Sequence, residues 1–226
     1  MPAVLEKSLD AIKVRLTSVL GEATLIQIDV VDGTFAPNRT WPFAAPEQAG
    51  EFAEILSGEE NFPLWDSFNF QFDLMVEDIA REEGRWEELP ASALIVHASS
   101  RGARGALEAL QAKRGGEYPT ELGVALSTSV SADALEEFSG LFDFVQVMGI
   151  AKPGFQGEPF DPRALELIAA LRADNRNLTI QVDGGVGREH LSEVLRAGAD
   201  RVAEGSLIFS AEDPKQALRE LFSTPF

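Results

Sequence analysis

Glu6, Gln27, Asp29, Asp73, His97, Gln146, Asp183 and Glu204 all stand at or near the ends of runs that read as buried strands. Gln27 and Asp29 are two residues apart in TLIQIDVVDGTFAPN, Thr24–Asn38, so on a strand both side chains lie on one face. Thr179–Gly187, TIQVDGGVG, has the same grammar: a strand ending in an aspartate and followed by glycines. Carboxylates brought to one mouth repel each other in a low-dielectric pocket, so either a cation sits among them or some keep protons at neutral pH. Both outcomes serve proton transfer or metal chemistry. Gly184-Gly185 precedes one helix and Gly205-Ser206 follows the last strand. Backbone N–H groups at such turns bind anions, so these four residues are expected to hold a phosphate rather than only to make tight turns.

These residues need a sheet whose strand ends converge. The chain has 226 residues, near the length of about 250 at which eight-stranded α/β barrels form one domain, so a single domain over residues 1–226 is expected. Strands read at Ala3–Glu6, Thr24–Val30, Phe68–Met75, Ala93–Val96, Glu121–Leu126, Phe142–Met148, Thr179–Val182 and Arg201–Glu204. Helices read between them, among them Arg104–Arg114 with a break at Gly115-Gly116, Ala132–Phe138, Asp161–Ala173 and Arg188–Ala197. In Phe68–Met75, the polar face of Asn69, Gln71 and Asp73 must meet water, a ligand or a polar cavity. Strands that alternate with helices make a parallel sheet, and eight repeats favour closure into a (β/α)8 TIM barrel over an open doubly wound sheet. No dinucleotide-binding GxGxxG follows the first strand.

The formal net charge is −18, which argues against nucleic acid and anionic membrane as partners. With no cysteine there are neither disulfides nor thiolate metal sites. The opening MPAVLEKSLD lacks the apolar core of a signal peptide and no run nears the roughly 18 apolar residues of a membrane span, so a cytoplasmic protein is expected.

The segments IQIDVVDGTFAPN, FDLMVED, LIVHASS, VMGIAKPGFQGEPF, IQVDGGVG and AGADRVAEGSLIF run in this order along nearly the whole chain. Together they resemble ribulose-phosphate 3-epimerase. The resemblance implies a ribulose-phosphate-binding (β/α)8 barrel that interconverts D-ribulose 5-phosphate and D-xylulose 5-phosphate, commonly with a divalent metal. It implies Asp29 and Asp183 as the acid/base pair, one on each face of a small-molecule sugar phosphate. It also implies Met75 and Met148 as pocket walls, and Gly154 and Gly157 in a flexible loop over the substrate phosphate. Inverting a carbon beside a ketone passes through an enediolate, whose charge needs metal or hydrogen bonds.

The departures from the family pattern are specific. Its two metal-binding histidines are replaced by Gln27 and Asp73, and the serine at the end of its first strand by Glu6. The remaining oxygen donors, Gln27, Asp29, Asp73 and Asp183, suit Mg²⁺ or Mn²⁺ better than Zn²⁺. Loss of the metal is the alternative, with Lys7 or Lys152 offsetting the negative charge. His97, expected near the substrate with Glu6, reads as a hydrogen-bonded barrel histidine rather than a ligand. Two other functions compete: a related barrel lyase or decarboxylase, against which DVVDG lacks the expected lysine, and a non-catalytic sugar-phosphate-binding barrel. Family members often form dimers or hexamers, which leaves a homo-oligomer open.

Overall fold

The computed structural model describes residues 1–222 except 87, 90 and 114–119. Eight parallel strands follow one another around a single sheet: β1 Ala3–Val4, β2 Leu25–Val31, β3 Asn69–Met75, β4 Ala91–His97, β5 Glu121–Leu126, β6 Phe144–Met148, β7 Thr179–Asp183 and β8 Arg201–Ala203. The sheet closes where Pro2 bridges Glu204: the Ala3 N–H donates to the Glu204 carbonyl at 3.1 Å and the Glu204 N–H to the Met1 carbonyl at 3.0 Å. The result is the (β/α)8 barrel expected from the alternation of elements.

Outside the barrel run α1 Leu9–Ser18, α2 Gln48–Ser57, α3 Ile79–Trp86, α4 Ala103–Ala112, α5 Arg163–Asp174, α6 Arg188–Ala197, α7 Ser206–Phe209 and α8 Pro214–Phe222. Ser8 caps α1 by accepting the Ala11 N–H at 3.2 Å, as its place before an apolar helical period suggests. Outward-facing strand residues meet the helices in the main core. Near α2 and α3, Trp41 lies edge-on to Phe52 at 5.4 Å, and Phe62 packs on Phe70 and Phe72. Burying each such ring contributes about 1.5–3 kcal/mol.

Two elements differ from the sequence reading. Ala132–Phe138 is a 3₁₀ helix rather than an α-helix. Three of its apolar residues, Ala132, Leu135 and Phe138, recur every third position, the spacing that three residues per turn bring onto one side. The four-residue α7 was not foreseen, being shorter than any window in which periodicity can be read. The expected helix end at Arg114 and the break at Gly115-Gly116 lie outside the described residues.

The segment between β6 and α5 spans the mouth of the barrel and is tied at several points. The Asp161 N–H donates to the Gly149 carbonyl at 2.8 Å, Asn38 Nδ2 to the Gly154 carbonyl at 2.7 Å, and Gln156 Nε2 to the Ala3 carbonyl at 3.0 Å. At its far end the Asp161 carboxylate accepts from Thr128 Oγ1 at 2.6 Å and from Arg163. The Arg163 guanidinium, followed by the Thr128 hydroxyl, holds the Asp161 carboxyl well below the usual carboxylate range. A depressed pKa means that the folded state favours the anion. The stabilisation is therefore complete above the unfolded value of about 4 and fades as pH falls towards the folded value. Asp161→Ala is expected to cost about 1–3 kcal/mol near pH 7, because buried Thr128 loses its acceptor, and clearly less at pH 3. Urea titration at the two pH values checks this, and an equal loss at both would refute it.

Candidate active site

Strand alternation decides which side chains enter the barrel. Ala3 pairs with Gln27, Gln27 with Gln71, Asp29 with Asp73, Gln146 with Gln181 and Met148 with Asp183, so all of these share the inward face. Gln27, Gln71, Gln146 and Gln181 are completely buried and form a layer of amides under the carboxylates. Gln71 Nε2 donates to Gln27 Oε1 at 2.7 Å, and Gln181 Nε2 bridges Gln27 Oε1 at 3.1 Å and Gln146 Oε1 at 2.6 Å. From this layer Gln27 Nε2 donates to Asp29 Oδ1 at 2.8 Å and Gln146 Nε2 to Asp73 Oδ2 at 3.0 Å. His97 Nε2 lies 2.8 Å from Asp73 Oδ1.

Above the amides, Asp29, Asp73 and Asp183 each bring a carboxylate oxygen within 4.8 Å of the others, all buried. The described residues give Asp29 and Asp73 only amides and an imidazole as side-chain partners, with neither lysine nor arginine among them. Burial pushes the Asp29 carboxyl well above the ordinary carboxylate range, with Asp73 adding to the rise and the Gln27 amide opposing it. Burial does the same to Asp183, reinforced by Asp29 and then Asp73. Two such neighbours behave as a pair that readily shares a proton.

Asp29 and Asp183, each 6% exposed, line one cavity at the mouth of the barrel. Leu5, Met75, Met148 and Ile150 supply apolar walls, and Gly154, Gly157, Gly184, Gly185, Gly205 and Ser206 also border the cavity. Gly185 has φ +71°, and an added Cβ would lie 2.9 Å from the Phe160 backbone, so this turn requires glycine.

Two of the residues that the sequence places at the site fall elsewhere. Glu6 faces away from the cavity and pairs with Arg15 Nε at 2.7 Å; Leu5 takes the place expected of it. The first strand alternates, so the inward set is Ala3 and Leu5, and Glu6 belongs with Val4 on the outer face. His97 is not part of the cavity wall; it sits behind Asp73 with the Phe35 ring 4.7 Å away. Lys7 and Lys152 are exposed and neither lines the cavity, so neither offsets its charge directly.

Gln27 lies among the acidic groups, but its oxygen accepts from Gln71 and Gln181, and its N–H faces Asp29. A cation at this place would therefore meet three carboxylates rather than the Gln27 oxygen. Three buried carboxylates with no lysine or arginine paired to them among the described residues fit a hard divalent ion. Sequence reasoning missed Gln181, Ile150, Gln156 and Glu158. Gln181 could have been found, since it precedes Asp183 by two residues as Gln27 precedes Asp29.

The model of the ribulose-phosphate 3 epimerase family matches residues 2–209. The chain belongs to that family. It is 30% identical to the ribulose-phosphate 3-epimerase of Aquifex aeolicus (strain VF5) over 211 residues, covering 91% of this chain and 86% of that protein. The enzyme of the same name from Bacillus subtilis (strain 168) is also 30% identical, over 206 residues, covering 89% and 87%. Among solved structures, a 3-hexulose-6-phosphate synthase superposes with a TM-score of 0.61 at 21% identity, covering 97% of this chain and 96% of that one. An orotidine 5'-phosphate decarboxylase from Pyrococcus horikoshii OT3 gives 0.57 at 18% identity, covering 98% and 97%. These two likenesses concern the fold, a barrel common to epimerase, synthase and decarboxylase. Among the described residues, no helix of this family member is long and apolar enough to cross a membrane.

Proposed function

We propose that this family member epimerises a ketopentose phosphate, D-ribulose 5-phosphate to D-xylulose 5-phosphate, by two-base proton transfer at carbon 3. The observation that carries the reading is the pair Asp29 and Asp183: both buried, both bordering one cavity, with carboxylate oxygens within 4.8 Å of each other. Oxygens so close can both reach one carbon atom. Family membership supports the substrate class, and the glycine turns beside the carboxylates support a ligand with an anionic end.

In this reaction one aspartate is ionised and the other protonated at the start. The ionised group takes the C3 proton and leaves an enediolate; the protonated group delivers its proton to the opposite face of C3. The two have then exchanged states, and proton exchange with solvent resets them. Gln27, hydrogen-bonded to Asp29, keeps one carboxylate oxygen anchored and leaves the other for the substrate. Met75, Met148, Leu5 and Ile150 keep the reacting carbon from bulk water. Asp29, Asp73 and Asp183 would hold a divalent ion, Mg²⁺ or Mn²⁺ by their oxygen chemistry, which when bound supplies positive charge facing the enediolate oxygens.

The test is deuterium entry at C3 of ribulose 5-phosphate in deuterated water, followed after chelator treatment and after addition of Mn²⁺ or Mg²⁺. Exchange is expected to fall at least tenfold on chelation and to return with either ion, since electrostatic stabilisation of an enediolate contributes on the order of several kcal/mol. Absence of C3 exchange with every ion would defeat the epimerase reading. Exchange indifferent to chelation would remove the metal from it.

A further inference from the structure

The phosphate expected at the glycine turns meets an obstacle that belongs to this chain. Glu204 is 5% exposed and borders the same cavity as Asp29, Asp183, Gly205 and Ser206. Its Oε1 accepts the Ser206 hydroxyl at 2.8 Å and the Leu207 N–H at 2.9 Å. A carboxylate oxygen thus already satisfies two donors at the turn after β8. Glu158 also borders the cavity, and no lysine or arginine does so among the described residues. Gln156 covers this corner, its amide so close to Gly205 that an added Cβ there would meet Nε2 at 2.1 Å.

We propose that Glu204 is a specificity-determining residue, an internal competitor that the phosphate end of the substrate must displace. The inference rests on the epimerase reading for the identity of the substrate, but not for the competition itself. A phosphate arriving beside Gly205 and Ser206 needs donors that Glu204 holds, and it brings its charge close to a carboxylate with no lysine or arginine beside it among the described residues that line the cavity. Like charges a few ångströms apart in a partly dehydrated cavity repel strongly enough to change affinity by about tenfold or more. An unphosphorylated ketose, which has a neutral hydroxyl at that end, is spared both costs. The chain is therefore expected to bind phosphorylated substrate weakly for a site of this geometry and to discriminate poorly between a ketose phosphate and the free ketose.

The experiment compares the full-length protein with Glu204→Gln and Glu204→Ala. Affinity for inorganic phosphate is measured by calorimetry, and KM for ribulose 5-phosphate and for ribulose by C3 deuterium entry. Glu204→Gln keeps an oxygen that can accept from Ser206 and Leu207, so it tests the charge even if the alanine variant folds poorly. Both variants are expected to bind phosphate at least about tenfold more tightly, and to lower KM for ribulose 5-phosphate without lowering it for ribulose. Phosphate affinity that is unchanged or weaker in Glu204→Gln would overturn the proposal, as would an equal fall in KM for both sugars. If phosphate binding tightens as expected while no protein exchanges C3, the competition stands and the epimerase reading fails.

Discussion

Asp29→Asn and Asp183→Asn are each expected to lower the rate of C3 inversion by about 10²–10⁴-fold, the range over which a positioned acid or base contributes. The substitution preserves shape and removes only the ability to carry a proton, so the barrel should keep its melting temperature to within a few degrees. The two variants should nevertheless differ. Each retains one working carboxylate, and that group can still remove the proton from the epimer whose C3–H faces it. Isotope exchange without inversion is thus expected to persist from ribulose 5-phosphate in one variant and from xylulose 5-phosphate in the other. Inversion within tenfold of the unmodified protein in either variant would show that a different pair does the chemistry. The pH profile should carry the same signature. Burial raises both carboxyls, and a pair protonated at both members cannot abstract, so activity should be lost on the acid side at a pH clearly above 4, where an ordinary carboxylate would titrate.

Gly149→Ala is expected to reduce kcat by on the order of 10²-fold, although Gly149 carries no chemistry. Its N–H donates to the Asp183 carbonyl at 2.6 Å, and its carbonyl accepts from Asp161 at 2.8 Å. A Cβ at this position would lie 2.1 Å from the Gly184 carbonyl oxygen, which is backbone and cannot swing aside as a side chain would. The strand end that presents Asp183 must therefore shift, and displacements near 1 Å at a reacting group cost about 10²-fold. Overpacking should also destabilise the protein by about 1–3 kcal/mol. Gly105→Ala is the matched control: nothing lies within 4 Å of an added Cβ on the exposed face of α4, and alanine there should stabilise the helix by about 0.5–1 kcal/mol. Steady-state kinetics and thermal melting of both variants check the pair, and an unchanged kcat in Gly149→Ala would mean that Asp183 is positioned by something else.

The barrel was legible because each strand carries its own period and each helix its own stop. Arg188–Ala197 stops at Gly198, and Glu121–Leu126 coincides with its apolar run. Residues of the candidate site were legible where an aspartate stands at the end of a strand, as Asp183 does, or two residues before it, as Asp29 and Asp73 do, since the end of a barrel strand is the mouth by topology alone. What stayed hidden depends on which way a side chain turns. Glu6 follows a strand of two residues, too short for alternation to announce its face, and it turned to Arg15. Gln27 looked like an oxygen donor because its partners Gln71 and Gln181 lie far away in the chain, and only their convergence fixes its amide the other way round. Glu204 was visible as a polar strand end, but its grip on Ser206 and Leu207 required α7, which no periodicity reveals.

The glutamine layer has a further bearing on how the reaction can run. Carboxamides neither gain nor lose a proton anywhere near neutral pH, so the axis of the barrel beneath Asp29 and Asp183 works as a plug rather than a wire. Under the proposed function, hydrogen ions would reach the two aspartates by the rim, through the opening that a seated sugar would fill. Under the two-base mechanism the hydrogen taken from one sugar stays on the aspartate that took it until solvent resets the pair, so its carry-over to a second sugar molecule should be most visible at high sugar concentration.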